Sequence, residues 1–276
     1  MVRTAETKEV LRKRVQRLLR LDRDENDQNE LRVRILPYLR SLGEVALIGG
    51  AIRDLARGGR KGFTSDLDFV VYGSSRENFR EAMLNASGRP NRFGGFALPF
   101  RHWKVDVWHL EDTWARTAGI RQVQELRDLL SCTFFDWDSV IFDLRTGQLI
   151  FGQDYLARLN SGIMNVCLED NPNPGGSLVR ALRRAALWNV RFGVQLTEFS
   201  RRYLSELDWS DLVARDKRAF GEAVLFYLDK DDLMQRLAPL EMTDGILSTL
   251  PVPHWERQPR FAFSLCERTS LSPSPR

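Results

Sequence analysis

The feature that most restricts the fold of this chain lies between residues 45 and 72. Val45-Ala46-Leu47-Ile48 has the composition of a short buried strand, and Gly49-Gly50 follows at once, then Ala51-Ile52-Arg53-Asp54, a stretch able to open a helix. Residues 57–65 make a glycine-rich cationic loop. Asp66-Leu67-Asp68-Phe69-Val70-Val71-Tyr72 then alternates with the period of a strand, and Gly73 ends it. Successive side chains of a strand point to opposite faces, so Asp66 and Asp68 share one face while Leu67, Phe69 and Val71 pack the other. Two carboxylates this close repel each other unless a cation lies between them, and oxygen ligands suit magnesium or manganese.

The remaining pattern predicts an α+β protein. Leu11, Val15, Leu18 and then Leu31, Ile35, Leu39, Leu42 recur at helical spacing, which places two helices before residue 44. Ser74 to Ala86 reads as a serine-capped amphipathic helix. The segments from Arg92 to Leu98 and from His102 to Leu110 read as strands separated by Pro99. In the second, Asp106 shares a face with Lys104 and Trp108, opposite Val105 and Val107, so a third carboxylate reaches the same site. Residues 122–130 are expected to be helical, Thr133 to Leu144 a strand, and Arg145 to Gln148 a turn into Leu149-Ile150. Strand signals stop after about residue 155. Helical periodicity covers Leu178 to Phe192, Glu198 to Leu207 and Ser210 to Leu228, and Asn171 to Ser177 reads as a linker. The expected organisation is an N-terminal helical segment over 1–35, a catalytic domain over 36–160, a helical neck and body over 161–250, and an irregular tail over 251–276.

Three carboxylates on a sheet face are what a two-metal phosphoryl or nucleotidyl transfer requires. Gly49-Gly50 after a buried strand lets backbone N–H groups approach phosphate oxygens, and Arg53, Arg57, Arg60 and Lys61 surround that region. Leu47 to Asp54, the basic glycine-rich loop and Ser65-Asp66-Leu67-Asp68-Phe69-Val70 together resemble the head-domain signature of the CCA-adding tRNA nucleotidyltransferases and bacterial poly(A) polymerases, in the polymerase-β-type superfamily. The resemblance covers roughly residues 36 to 195. It implies a small mixed β-sheet flanked by helices and followed by a helical C-terminal domain. It also implies two Mg2+ (or Mn2+) ions held by Asp66, Asp68 and Asp106, with a triphosphate cradled by Gly49 and Gly50 and braced by Arg53 and Asp54. Arg180 and Arg183 sit where the family's neck helix carries Glu-Asp-x-x-Arg, and both are expected to bind nucleotide. Asp136 and Asp138 are the next candidates for the third carboxylate.

The chain departs from that pattern at three places. Ser131-Cys132-Thr133 stand near the family's Arg-Arg-Asp, Gly176 and Ser177 replace the Glu-Asp that templates the base edge, and about a hundred residues follow the linker instead of a long tRNA-gripping body. The expected activity is template-independent transfer of a nucleoside monophosphate, ribo or deoxyribo, from a triphosphate to a hydroxyl. By analogy with standalone superfamily members of bacterial defence systems, the first expectation is short oligonucleotide synthesis as a signal, with an effector protein as a partner. The alternatives are nucleotide addition to tRNA or other RNA 3′ ends, modification of a protein hydroxyl, and a non-catalytic nucleotide-sensing or partner-binding module.

Composition sets the bounds of this reading. Hydrophobic residues at 43% and charged residues at 28% of 276 belong to a folded globular chain, and a net charge of +4 favours phosphate-bearing partners. No long uncharged apolar run is present, which argues against membrane insertion and export and makes the cytoplasm the expected location. Cys132, Cys167 and Cys266 share no metal-ligand or disulfide spacing and are expected to be buried or semi-buried thiols. His102 and His109 fall on opposite faces of one strand and are expected to be structural. Trp188 and Phe192 are expected in the core. Arg12, Arg14, Arg17, Arg20 and Arg23 are expected on a solvated helix face, and Arg180, Arg183, Arg184 and Arg191 on a basic one that turns either to solvent or to the cleft.

Overall fold

Seven strands form one sheet: β1 (Glu44–Ile48), β2 (Leu67–Tyr72), β3 (Arg89–Pro90), β4 (Phe96–Pro99), β5 (Lys104–His109), β6 (Val140–Asp143) and β7 (Gln148–Phe151). Their order is β3-β4-β5-β2-β1-β6-β7, and β2 and β5 run parallel while the other neighbours are antiparallel. The computed structural model describes residues 4–20 and 30–237; Arg23, Cys266 and the expected tail over 251–276 lie outside the described residues.

Strand alternation divides this sheet into two unequal faces. Leu47 lies opposite Phe69 and Phe142, and Phe69 opposite Val107. This face is covered by helices α1 (Lys8–Arg20), α2 (Leu36–Leu42), α3 (Gly50–Gly58) and α4 (Arg76–Asn85), which bury Leu11, Leu39, Ile52 and Phe79 in the same cluster. On the other face Ala46, Val70 and Ile141 join a smaller cluster closed by Val123, Leu126 and Leu129. Each buried apolar side chain contributes roughly 1.5–3 kcal/mol. The helix-covered face therefore carries most of the stability, and the second face can remain partly open.

Local chemistry explains the helix starts. Ser75 caps α4, its hydroxyl accepting from the Asn78 N–H, as the sequence predicts. A π-helical turn, Leu31–Ile35, leads into α2; the Leu36 N–H reaches back to Leu31 O, and Pro37 has no N–H with which to continue an α pattern. Arg14 is not on a solvated face. Its Nη1 donates to Leu55 O and Ala56 O at 2.9 and 3.0 Å, capping the C-terminal end of α3 where a cation is favoured.

The structure differs from expectation where side chains compete with regular backbone. Residues 57–65 are not wholly loop, since α3 runs to Gly58 and a 3-10 turn spans Gly59–Gly62. In place of the predicted 122–130 helix a 3-10 element spans Leu126–Ser131, because the Asp128 carboxylate takes the N–H groups of Gln124 and Glu125. The predicted strand from Thr133 begins only at Val140, after the 3-10 turn Asp136–Asp138.

After α5 (Trp114–Thr117) and α6 (Tyr155–Ser161), two short strands absent from the sequence reading, β8 (Ile163–Met164) and β9 (Arg191–Phe192), pair in parallel. The predicted linker contains the start of helix α7 (Pro174–Trp188). Pro174 has the φ of a first turn, and the Asn173 side chain accepts from the Gly176 N–H. Helices α8 (Val194–Glu206), α9 (Trp209–Phe220) and α10 (Lys230–Arg236) follow, with a 3-10 turn, Val224–Tyr227, separated from α9 by Gly221. No described helix is long and apolar enough to cross a membrane.

Candidate active site

The parallel register places Asp68 beside Asp106, on the sheet face opposite the one that α1 to α4 cover. Asp66 lies at the entrance of β2, with Lys104 Nζ 3.9 Å from its Oδ1. Burial, followed by repulsion from Asp106, Asp66 and Asp138, pushes the Asp68 carboxyl well above the usual carboxylate range, and Arg180 offsets part of this. Burial also raises Asp66 against the pull of Lys104. It raises Asp106 as well, opposed by a hydrogen bond from Asn91 Nδ2 to Asp106 Oδ1 at 3.3 Å.

The approach to these acids is fixed from below by the Arg53-Asp54 pair. Asp54 is fully buried, and its Oδ2 accepts from the backbone N–H groups of Thr64 and Ser65 at 2.9 and 3.0 Å and from both hydroxyls. Arg53 donates to Asp54, to Ser65 Oγ and to Asp138. The residues immediately before Asp66 are thereby locked. Gly49 has φ +78°, which favours glycine, and its N–H bonds Val140 O. A Cβ on Gly50 would lie 2.8 Å from Ser65 Oγ, so this glycine serves the brace as well as the helix start.

Asp138 is a junction between the sheet and α7. It accepts from Arg53 and, at 3.2 Å, from Arg184 Nη2. Burial alone would raise its pKa, but the guanidinium groups of Arg184 and Arg53 outweigh it and hold the carboxyl below its ordinary value. Burial and the charge of Arg53 bring Arg184 down to about 9, still cationic at neutral pH. Trp188 is not open as a stacking platform, because the Arg57 guanidinium lies 4.0 Å from its ring centroid and Arg53 and Arg184 flank it. With its oxygens committed to two arginines, Asp138 does not replace Asp106 as the third carboxylate. Asp136 accepts from the Asn165 N–H instead, and burial raises it to about 6.

Beside the acids a pocket of about 180 Å3 is floored by Ile48, Val70 and Trp108, with Arg180, Ser177 and Asp170 among its lining residues. Arg180 donates to Ser177 Oγ at 3.2 Å, and burial lowers its pKa. The two expected neck arginines part company here. Arg183 turns away, donating to Asp216 and to Glu222 O and stacking on Phe220, so the structure does not bring it to the site. A larger open cleft of about 770 Å3, lined by Ser74, His109 and Arg145 among others, touches none of the three carboxylates. His109 is buried, with its ring nitrogens engaged by Ser74 O and the Glu111 N–H, a structural role as expected. Cys132 and Cys167 are free, half-buried thiols.

Sequence reasoning missed three features of this site. Asn91 has no spacing relation to Asp106, Asp170 stands alone just before the linker with no motif around it, and the Asp138–Arg184 pair is a long-range contact. Among the described residues no three His, Cys, Asp or Glu side chains converge closely enough to hold a metal ion as they stand. The donor chemistry nevertheless fits a hard divalent cation: Asp68 and Asp106 are paired on one side of the sheet with Asp66 just before β2, and the charge on Asp68 is disfavoured by these acidic neighbours and only partly offset by Arg180.

No protein-family model and no curated protein sequence matches the chain. Solved structures do. A CCA-adding enzyme in an apo form is similar over 81% of this chain and 54% of its own, at 19% identity and a TM-score of 0.52. The Thermotoga maritima CCA-adding enzyme complexed with tRNA is similar over 81% of this chain and 53% of its own, at 19% identity and a TM-score of 0.50. An apo tRNA-processing enzyme is similar over 79% and 59%, at 20% identity and a TM-score of 0.51. The chain thus spans little more than half the length of the structures it matches. The α+β fold implied by the sequence resemblance is borne out, a mixed sheet flanked by helices and similar to the fold of the CCA-adding enzymes.

Proposed function

We propose that this protein is a template-independent nucleotidyltransferase. The observation that carries this reading is the pairing of Asp68 with Asp106 on the open sheet face, with Asp66 at the strand entrance and the Arg180-lined pocket alongside. In the proposed reaction an acceptor hydroxyl oxygen bonds to the α-phosphorus of a nucleoside triphosphate, the α–β bridging P–O bond breaks, and pyrophosphate leaves. Asp66, Asp68 and Asp106 are the residues that would hold two Mg2+ or Mn2+ ions, which when bound supply hydroxyl activation and charge neutralisation on the triphosphate. Asp106, its pKa raised by burial, is the candidate acceptor of the hydroxyl proton. The Gly50 and Ala51 N–H groups at the start of α3 would receive phosphate oxygens, Gly49 turning the chain there with its own N–H on Val140 O, and the Asp54 brace keeps the approach to Asp66 rigid.

The base enters the pocket over Trp108. Arg180 donates there but cannot accept, and Asp170 supplies the missing acceptor. Selection of a base therefore does not rest on Arg180 alone. The product we favour is a short oligonucleotide made in the cytoplasm as a signal, read by an effector protein. Addition to an RNA 3′ end is the second reading, since the fold neighbours include a CCA-adding enzyme complexed with tRNA. The test is incubation with each of the eight labelled ribo- and deoxyribonucleoside triphosphates, with Mg2+ or Mn2+ and with or without tRNA. Pyrophosphate release with oligonucleotide products supports the first reading, and ordered CCA addition to tRNA supports the second. No pyrophosphate from any triphosphate refutes catalysis and leaves a nucleotide-binding module.

A further inference from the structure

We infer that Asn91 is a positioning residue for Asp106, an inference that rests on the nucleotidyltransferase reading of the site. Asn91 opens the turn between β3 and β4, and β4 lies against β5 with Ala97 opposite Asp106. Its side-chain Oδ1 accepts from the backbone N–H groups of Phe93 and Gly95 at 3.0 and 3.1 Å. The turn is closed a second time by the Asn91 N–H on Gly95 O at 2.8 Å. With the oxygen held by two donors, the amide has one orientation, and its Nδ2 faces Asp106 Oδ1 at 3.3 Å.

The turn itself is seated firmly. Gly94 has φ +84° and a Cβ there would strike Asp112 O, while a Cβ on Gly95 would lie 2.5 Å from the Trp108 indole. Asp112 is in turn held by Arg76 and Arg80. Asn91 is therefore a fixed donor on a fixed turn, and it holds one carboxylate oxygen of Asp106. The other, Oδ2, has no hydrogen-bond donor among the described residues and is left for the reacting groups. A carboxylate on a β-strand has freedom about χ1 and χ2, and this bond removes it at the strand position where the site needs a single orientation.

The discriminating substitution is Asn91→Asp, which keeps an oxygen for the Phe93 and Gly95 N–H groups but sets a second carboxylate against Asp106. Asn91→Ser keeps a shorter acceptor for the turn and lacks the reach to Asp106. The expected result for both is a melting temperature within about 3 °C of wild type. The turnover number for pyrophosphate release should fall 10–100-fold, the usual cost of losing an outer-shell partner, with KM for the triphosphate changed less than about threefold. In the 15N–1H spectrum of the full chain, the Asn91 side-chain amide should move in Asp106→Ala. Wild-type turnover in folded Asn91→Asp and Asn91→Ser, or an Asn91 amide indifferent to Asp106→Ala, overturns the assignment. A wild-type protein that releases no pyrophosphate while the amide still responds overturns the functional reading and the positioning role with it, and leaves the bond as a purely structural one.

Discussion

Replacing Asp138 by alanine should destabilise the protein more than replacing any of the three site carboxylates. In the wild type this carboxylate accepts from Arg53 and from Arg184, both of which are buried. Arg53 retains Asp54 and Ser65 after the substitution, whereas among the described residues Arg184 keeps only the Met164 sulfur and the Phe135 and Trp188 rings. Breaking a buried ion pair from one side costs about 3–5 kcal/mol because the remaining charge is stranded. With Arg53 still paired, the low end applies, about 3 kcal/mol, which for a chain of this size lowers the melting temperature by roughly 6–12 °C. Asp138 has a depressed pKa in the fold, so its contribution is present above the unfolded value near about 4 and is lost as pH falls through the folded value. The gap between wild type and Asp138→Ala should therefore hold from pH 5 to 8 and close in acid. Thermal or urea unfolding of wild type, Asp138→Ala, Arg184→Met and the double variant measures this. The double variant should recover at least half the loss. A single-variant cost under about 1 kcal/mol, or strictly additive effects in the cycle, refutes the argument.

Asp68→Asn should abolish turnover yet raise the metal-free melting temperature near pH 7. The folded carboxyl is raised, so its penalty grows as pH rises above the unfolded value and vanishes below it; a gain that persists at pH 3 contradicts this account. Arg183→Ala strands the fully buried Asp216 and should cost about 2–4 kcal/mol in unfolding assays, while KM for the triphosphate stays put; a raised KM in the folded variant returns Arg183 to the site. Gly50→Val should displace Ser65 from Asp54 and lower stability by about 1–3 kcal/mol, alongside weaker nucleotide binding by calorimetry, and a variant with unaltered melting and affinity reduces this glycine to a turn.

Much of the site was legible because it rests on short-range periodicity. The period-2 pattern placed Asp68 and Asp106 on one side of the sheet, with Asp66 one residue before β2, and the glycine pair marked the start of α3, since both are consequences of local backbone geometry. Features that depend on which way a helix is rolled were not legible. Arg180 and Arg184, four residues apart, share a stripe facing the sheet, but Arg183 is turned about 100° from Arg184 and meets Asp216 instead. The stretch from Asn171 to Ser177 carries the composition of a linker, and only the Asn173 cap and the first-turn tolerance for Pro174 make it a helix start. Arg14, read as solvated from its charged neighbours, found the free carbonyls of α3 through tertiary contact.

The parallel pairing of β2 with β5 also bears on how the chain reaches this structure. β6 and β7 meet across a tight turn, and β3 and β4 across the Asn91 turn, so both hairpins can form early from local contacts. β5 reaches β2 only after the chain has passed through α4 and the β3–β4 hairpin, a non-local closure whose entropy must be met before its contacts reward it. That closure is also the step that brings Asp106 beside Asp68, against their mutual repulsion. Refolding should therefore slow as pH rises through the range where these acids ionise, and it should quicken when Asp68 is replaced by asparagine.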